Sequence, residues 1–204
     1  MQEKVRFHFD PLCPWAWQSA RWLREVEKVR PVEVDWRLFS LKLVNQGQSD
    51  PLADAHVQGT PALRTLALVR REGGNRLVGR LYERIGEHVH ERGEDLSPQV
   101  VKESLMEIGL DGGLLDRALA DDSTMEQVRA DYEAAVSEAG CFGVPTIVTS
   151  SGKAIFGPVV STAPPGEAAG ELWDHVRWLM EQDTFFELKR ERDRPATSHP
   201  AGDR

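Results

Sequence analysis

Val5-Arg6-Phe7-His8-Phe9-Asp10-Pro11-Leu12-Cys13-Pro14-Trp15-Ala16-Trp17, continued to Leu38 as QSARWLREVEKVRPVEVDWRL, is the stretch that decides the fold. Val5, Phe7 and Phe9 alternate with polar residues, the two-residue period of a strand. Asp10-Pro11 ends it, because proline supplies no ladder donor and restricts the residue before it. From 15 to about 30 the period becomes helical, with Trp17, Ala20, Leu23 and Val26 on one face. Pro31 stops that helix, and Val32, Val34, Trp36 and Leu38 alternate again. A β-α-β opening of this kind predicts a parallel pair joined by a right-handed crossover.

Residues 49–140 contain no convincing strand and read as helices near 61–71, 76–91, 98–108 and 124–139. Ser97 is the expected N-cap of the third, with Pro98 at its first position. Asp111 is expected to cap a further short helix. Glycine pairs at 73–74 and 112–113 are breaks. Strand character returns at 145–149, Ser150-Ser151-Gly152 reads as a hairpin turn, and 153–156 as the returning strand. A Pro/Gly loop over 157–166 precedes a last helix at about 167–182. The order is β-α-β, a helical block, then β-β-α. Without the block this is the thioredoxin order. The expected fold is therefore α/β, a thioredoxin fold with a large all-helical insertion. Residues 1–48 and 141–186 form the thioredoxin-like domain, 49–140 the insert, and 187–204 a charged tail expected to be disordered.

A chain of 204 residues suits one such domain with ample core. Its formal charge of −8 argues against a nucleic-acid partner, which needs a basic face. No apolar run approaches the ~20 residues that span a bilayer. The start, MQEKVRFHFDPLC, lacks the apolar region of a signal peptide, so the expected location is cytoplasmic. Two cysteines are too few for a disulfide scaffold, and in a reducing cytosol both rest as thiols.

Cys13-Pro14-Trp15-Ala16 sits where the first strand hands over to the first helix. With Cys13 at the N-cap, Pro14 falls where a missing N–H costs nothing. Free backbone N–H groups and the positive end of the dipole then face the sulfur, which predicts a lowered pKa and a nucleophilic thiolate. In a Cys-x-x-Cys site the second thiol releases a mixed disulfide. Ala16 stands in that place, so the site as written is monothiol, and a separate thiol must resolve any adduct. Cys141 reads as a small buried residue at a helix end, or as a distant resolving thiol. Gly143-Val144-Pro145-Thr146 opens the third strand. Pro145 is a candidate cis-proline beside the nucleophile, and the Val144 backbone a candidate edge for an extended substrate. Trp15 either lines a substrate groove or packs on the helix, while Trp17 belongs to the core stripe. Asp10 reads first as a turn former, though a carboxylate there could also accept a proton or oppose the thiolate. His88 and His90 are two apart on a predicted helix. They read as solvated residues on different faces, and no metal site is expected.

FDPLCPWAW, the helical block and GVPTIV together resemble the DsbA-like thioredoxin-fold proteins. This group includes FrnE-type oxidoreductases, 2-hydroxychromene-2-carboxylate isomerases and kappa-class glutathione transferases. SARWLREVEKVRPVEV, AIFGPVVSTAPPGEAAGELWD and FFELKR look more narrowly like the actinobacterial mycothiol-dependent nitroreductases, over about residues 4–190. That resemblance implies Cys13 as redox nucleophile, Pro145 as cis-proline and mycothiol as reductant, with no bound cofactor. Ala16 departs from the dithiol pattern and puts in doubt any activity that needs an intramolecular disulfide. The expected enzyme is a monothiol thiol–disulfide oxidoreductase. Cys13 is catalytic, and Pro14, Trp15, Ala16, Val144, Pro145 and Thr146 contact substrate or thiol. Its partners are a small-molecule thiol and a disulfide or electrophile, with no membrane, and a homodimer is the default assembly. The alternatives are a thiol-dependent transferase or isomerase, or a redox-inactive binding protein.

Overall fold

The computed structural model describes residues 2–47 and 53–196. Strand β1 (Glu3–Phe9) pairs in parallel with β2 (Val32–Leu38), in register from Glu3 opposite Val32 to Phe9 opposite Leu38. Helix α1 (Pro14–Val29) is the crossover between them. A one-turn helix α2 (Leu41–Val44) follows, which the sequence pattern does not announce. Ser40 starts it, its hydroxyl accepting from the Leu43 N–H at 3.3 Å.

The helical block comprises α3 (Ala53–Gly73), α4 (Asn75–Gly86), α5 (Pro98–Glu107), α6 (Leu114–Ala120) and α7 (Ser123–Ala139). Helix α3 runs two turns ahead of Pro61, where the sequence suggests its start. The helix expected over 76–91 is α-helical only to Gly86 and ends in a π-helical turn, Glu87–Glu91. Ser97 caps α5 as expected, accepting from the Val100 N–H at 3.3 Å. Asp111 does not cap α6. Its carboxylate accepts from the Gly113 N–H at 2.8 Å and so shapes the loop, and Gly113 is the capping residue.

Beyond the block, β3 (Thr146–Val148) pairs antiparallel with β1, and β4 (Ala154–Phe156) antiparallel with β3. The sheet order is β2-β1-β3-β4, and α8 (Gly166–Met180) is the last helix among the described residues. Residues 187–196, expected to be disordered, form an irregular and mostly exposed segment. Residues 197–204 of that stretch lie outside the described residues.

Aromatic packing joins the block to the sheet. The Phe9 and Tyr82 rings stack with centroids 3.9 Å apart, and Trp36 meets Phe7 edge-on at 5.7 Å. Burying side chains of this size contributes about 1.5–3 kcal/mol each. Helix α4 can come this close because it presents glycines. A Cβ on Gly79 would lie 2.4 Å from the Trp36 Nε1, and one on Gly86 would lie 2.2 Å from the Trp17 ring. Arg24 of α1 crosses the same seam, donating to the Gly79 carbonyl at 2.7 Å with its guanidinium 4.3 Å from the Trp36 ring. On the other side, Trp22 donates to the Ala169 carbonyl at 3.0 Å and packs on Trp173, which fixes α1 to α8. Helix α1, whose N-cap is Cys13, is thereby held from both flanks.

Candidate active site

Cys13 is the N-cap of α1, extended at φ −81° and ψ 109°, with Pro14 as the first helical residue. Its backbone N–H donates to the Asp10 carbonyl at 3.0 Å, closing the turn that Asp10-Pro11 begins. The Asp10 carboxylate finishes that turn, accepting from the Leu12 N–H at 3.0 Å and from the Leu41 N–H at 2.8 Å. Of the readings open for Asp10, turn formation is the one its hydrogen bonds express. Burial pushes its carboxyl up to about 6, against those two donors.

The Cys13 sulfur accepts from the Ala16 N–H at 3.4 Å and donates to the Val144 carbonyl at 3.6 Å. Val144 precedes Pro145 through a cis peptide bond. The structure therefore brings Cys13, Ala16, Val144 and Pro145 together. Pro14 is exposed beside them and Trp15 half-buried. The Thr146 hydroxyl is engaged elsewhere, donating to the Gly143 carbonyl at 2.8 Å and bonding to the Cys141 thiol.

One expectation is overturned. The helix N-terminus acts on Cys13 in the expected direction, but burial is the larger effect and pushes the thiol up to about 11. Asp10 adds to the rise, while the backbone of Ala16 and Trp15 and the charge of Arg192 oppose it. Only 8 % of Cys13 is exposed, so an ionised sulfur would forgo most of its hydration. Cys13 at rest is a thiol.

Cys141 is buried and free, as Cys13 is, and burial likewise pushes it up to about 11. The histidines differ from the solvated pair expected. His88 is buried between Glu94 and Glu107, at 3.0 and 3.1 Å, with Arg92 against the same ring. His88, Glu94 and Glu103 have ligand-type atoms within 4.8 Å of one another, but the Arg92 guanidinium lies against the same imidazole. His90 meets the Pro11 carbonyl at 2.8 Å and stacks on Trp17, bracing the active-site turn from behind. Within the π-helical turn the two rings point to different neighbours, as residues two apart are expected to, but both are engaged rather than solvated.

Three further features near Cys13 are not singled out by any motif of the sequence. The Tyr82 hydroxyl is buried without a partner, close enough to Cys13 and Asp10 for their charges to raise its pKa beyond what burial does. Phe142 and Phe156 stack at 5.2 Å, exposed beside the Gly143-Val144 turn, and a Cβ on Gly143 would meet the Phe156 ring at 3.2 Å. Arg192 lies 4.9 Å from the Trp15 ring centroid. Tyr82 fits the helical stripe of Val78, Leu81 and Ile85 and reads as core, whereas Arg192 is one of many charges in the tail. A cavity of about 360 Å³ lies elsewhere, between Arg24, Trp36, Asn75 and Arg80, and Cys13 does not line it. Among the described residues no helix is long and apolar enough to cross a membrane.

Comparison with known proteins follows the same outline. The cytosolic disulfide reductase DsbM of Pseudomonas aeruginosa, solved with GSH, superposes with a TM-score of 0.60 at 17 % identity, over 85 % of this chain and 99 % of that one. The probable DsbA oxidoreductase SCO1869 of Streptomyces coelicolor gives 0.58 at 20 % identity, over 98 % and 100 %. At these identities the likeness establishes the DsbA-like thioredoxin fold. The uncharacterized protein Rv2286c of Mycobacterium tuberculosis is 38 % identical over 189 residues, covering 91 % of this chain and 81 % of that protein. The family model described as Rv2466c-like, mycothiol-dependent nitroreductase Rv2466c, matches residues 12–190, from just before Cys13 to the tail beyond α8. A match of that extent takes in Cys13, the helical block, β3, β4 and α8, and the chain belongs to the Rv2466c-like family, thiol-dependent oxidoreductases of the DsbA-like kind with a low-molecular-weight thiol as cosubstrate.

Proposed function

We propose that the protein is a monothiol thiol–disulfide oxidoreductase, with Cys13 as nucleophile and mycothiol as reductant. The observation that carries this reading is the placement of the Cys13 sulfur at the start of α1, between the Ala16 N–H and the Val144 carbonyl. In the first step the Cys13 sulfur attacks one sulfur of a disulfide R–S–S–R′. A Cys13–S–S–R bond forms, the substrate bond breaks, and R′–SH leaves with the proton from Cys13. In the second step the mycothiol sulfur attacks the R sulfur. Cys13 recovers its thiol and the disulfide of mycothiol with R departs. A second mycothiol then attacks that mixed disulfide, releasing R–SH and mycothiol disulfide, so a full turnover transfers two electrons and consumes two mycothiols. Ala16 supplies no internal thiol, so the second step requires the external one.

The resting thiol, pushed up to about 11 by burial, is protonated at neutral pH. Activation on this reading accompanies substrate docking. A substrate backbone pairing along Val144 takes over its carbonyl and frees the sulfur, while the Ala16 N–H remains to stabilise developing charge. The thiol chemistry belongs to the unit of residues 1–48 and 141–186, and the insert over 49–140 braces it. Two unbridged cysteines suit a cytoplasmic setting.

Intact-mass measurement after exposure to mycothiol disulfide tests the reading. One mycothiol should add at Cys13 and be released by free mycothiol. An adduct confined to Cys141, or none at either cysteine, would sink it. The missing second thiol also suits a transferase or isomerase that uses the thiol without net redox change. Product stoichiometry separates the two, because only the oxidoreductase consumes two thiols per turnover.

A further inference from the structure

Arg192 stands on the irregular segment that follows α8 and is exposed. Its guanidinium carbon lies 4.9 Å from the centroid of the Trp15 ring, two residues from Cys13. A planar cation over an indole face is held by the ring quadrupole. Its neighbour Asp193 is engaged elsewhere, bonded to Arg194 at 2.9 Å. Among the described residues Arg192 itself has no ion-pair partner, so its donors are uncommitted. The side-chain charges that bear on Cys13 are of two kinds. Asp10 is buried behind the turn with both oxygens bonded to backbone, and Arg192 is the cation on the open side. Beside them Pro14 is exposed and Trp15 half-buried, so this rim of the site is open to a small molecule.

We propose that Arg192 is a specificity residue that receives a carboxylate of the small molecule reacting at Cys13. A guanidinium presents two parallel N–H donors that match the two oxygens of a carboxylate, and stacking on Trp15 fixes the fork before the ligand arrives. The inference rests on Cys13 as the nucleophile and goes beyond that reading in naming the charge of the substrate. It also gives the segment after α8 a task, which is to carry the cation back to the start of α1.

Iodoacetate and iodoacetamide are probes of nearly equal size that differ in one negative charge. With either, the Cys13 sulfur displaces iodide, a carbon–sulfur bond forms and the thiol proton passes to buffer. The ratio of the two rates at Cys13, followed by mass spectrometry, cancels any change in thiolate fraction and reads only the preference for the carboxylate. Arg192→Ala should lower that ratio about fivefold at low ionic strength, the size expected of one partly screened charge. Arg192→Lys keeps the charge but not the fork and should fall between. Arg190→Ala, on the same segment, should keep the wild-type ratio. Salt at roughly 0.5 M should erase the wild-type preference. A reactive Cys13 whose ratio is the same with and without Arg192, or falls equally in Arg190→Ala, would overturn the inference and leave the nucleophile reading intact. A Cys13 inert to both reagents would overturn both.

Discussion

Cys13 and Cys141 make an instructive pair. Both are free, both are buried, and burial pushes both to about 11. They stand at opposite kinds of helix end. Cys13 caps the start of α1, where unpaired N–H groups converge on its sulfur. Cys141 follows the end of α7, its own N–H donating to the Ala135 carbonyl at 3.0 Å and its thiol bonded to Thr146. Titration alone would not tell them apart. What separates them is the neighbourhood: one sulfur meets a helix N-terminus and the Val144 carbonyl, the other the helix end and a hydroxyl. A thiol's role is set by what can stabilise its transition state, and not only by its resting ionisation.

The sharpest way to break this comparison is to remove each sulfur. Cys13→Ser should abolish mixed-disulfide formation with mycothiol disulfide, whereas Cys141→Ser should retain it. A Cys13→Ser protein that still exchanges at the wild-type rate would reverse the assignment of the two cysteines. Ala16→Cys should convert the site. The introduced thiol, on the first turn of the helix whose N-cap is Cys13, lies where it can bridge to the native one, seen as a loss of two hydrogens by mass under oxidising conditions. Bridging of Cys13 to Cys141 instead would show that the two native thiols are closer in solution than their surroundings suggest.

The turn that presents Cys13 can be tested through Asp10. Its carboxyl is raised in the fold, so its contribution to stability is fully present below its ordinary value of 3.8 and is lost as pH rises through about 6. Asp10→Asn should remove that component of the pH profile between those values. It should also cost about 1–3 kcal/mol, because the amide NH2 would face a backbone N–H in place of an acceptor. Thermal unfolding across pH 3–7 measures both, and an unchanged profile would show that the carboxylate is not buried as described. The thiols act at the other end of the scale. Both are raised, so their contribution is present below about 9 and lost as pH rises toward 11, and each serine substitution should flatten the alkaline loss of stability. The smallest effect is expected of Thr146→Val. Without the hydroxyl, Cys141 should titrate slightly higher still, with no comparable shift at Cys13, as read by pH-dependent alkylation of each.

The local pattern was legible wherever periodicity or a capping rule acts over a few residues. The alternation of Val5, Phe7 and Phe9, the stripe through Trp17, Leu23 and Val26, and the Cys13-Pro14 and Ser97-Pro98 helix starts all appear where the chain announces them. The start of α3 ahead of Pro61 was not legible, since proline there reads as a first-turn residue although a helix can run through it. The surroundings of His88 were not legible either. Its partners Glu94 and Glu107 come from the loop and helix beyond a π-helical turn, and helix periodicity does not foresee that turn.

By itself the sequence determined the order of the strands and the longer helices, the thiol at a helix N-cap, and the absence of a second thiol at Ala16, because each depends only on residues near in the chain. The tertiary structure decided how these become a site. Whether the helix N-terminus or burial governs the Cys13 thiol depends on how much water the assembled block excludes. Whether Trp15 is bare or carries a cation depends on where Arg192 lands, 177 residues further along the chain. Both are sums over groups distant in sequence, and only the folded chain brings them together.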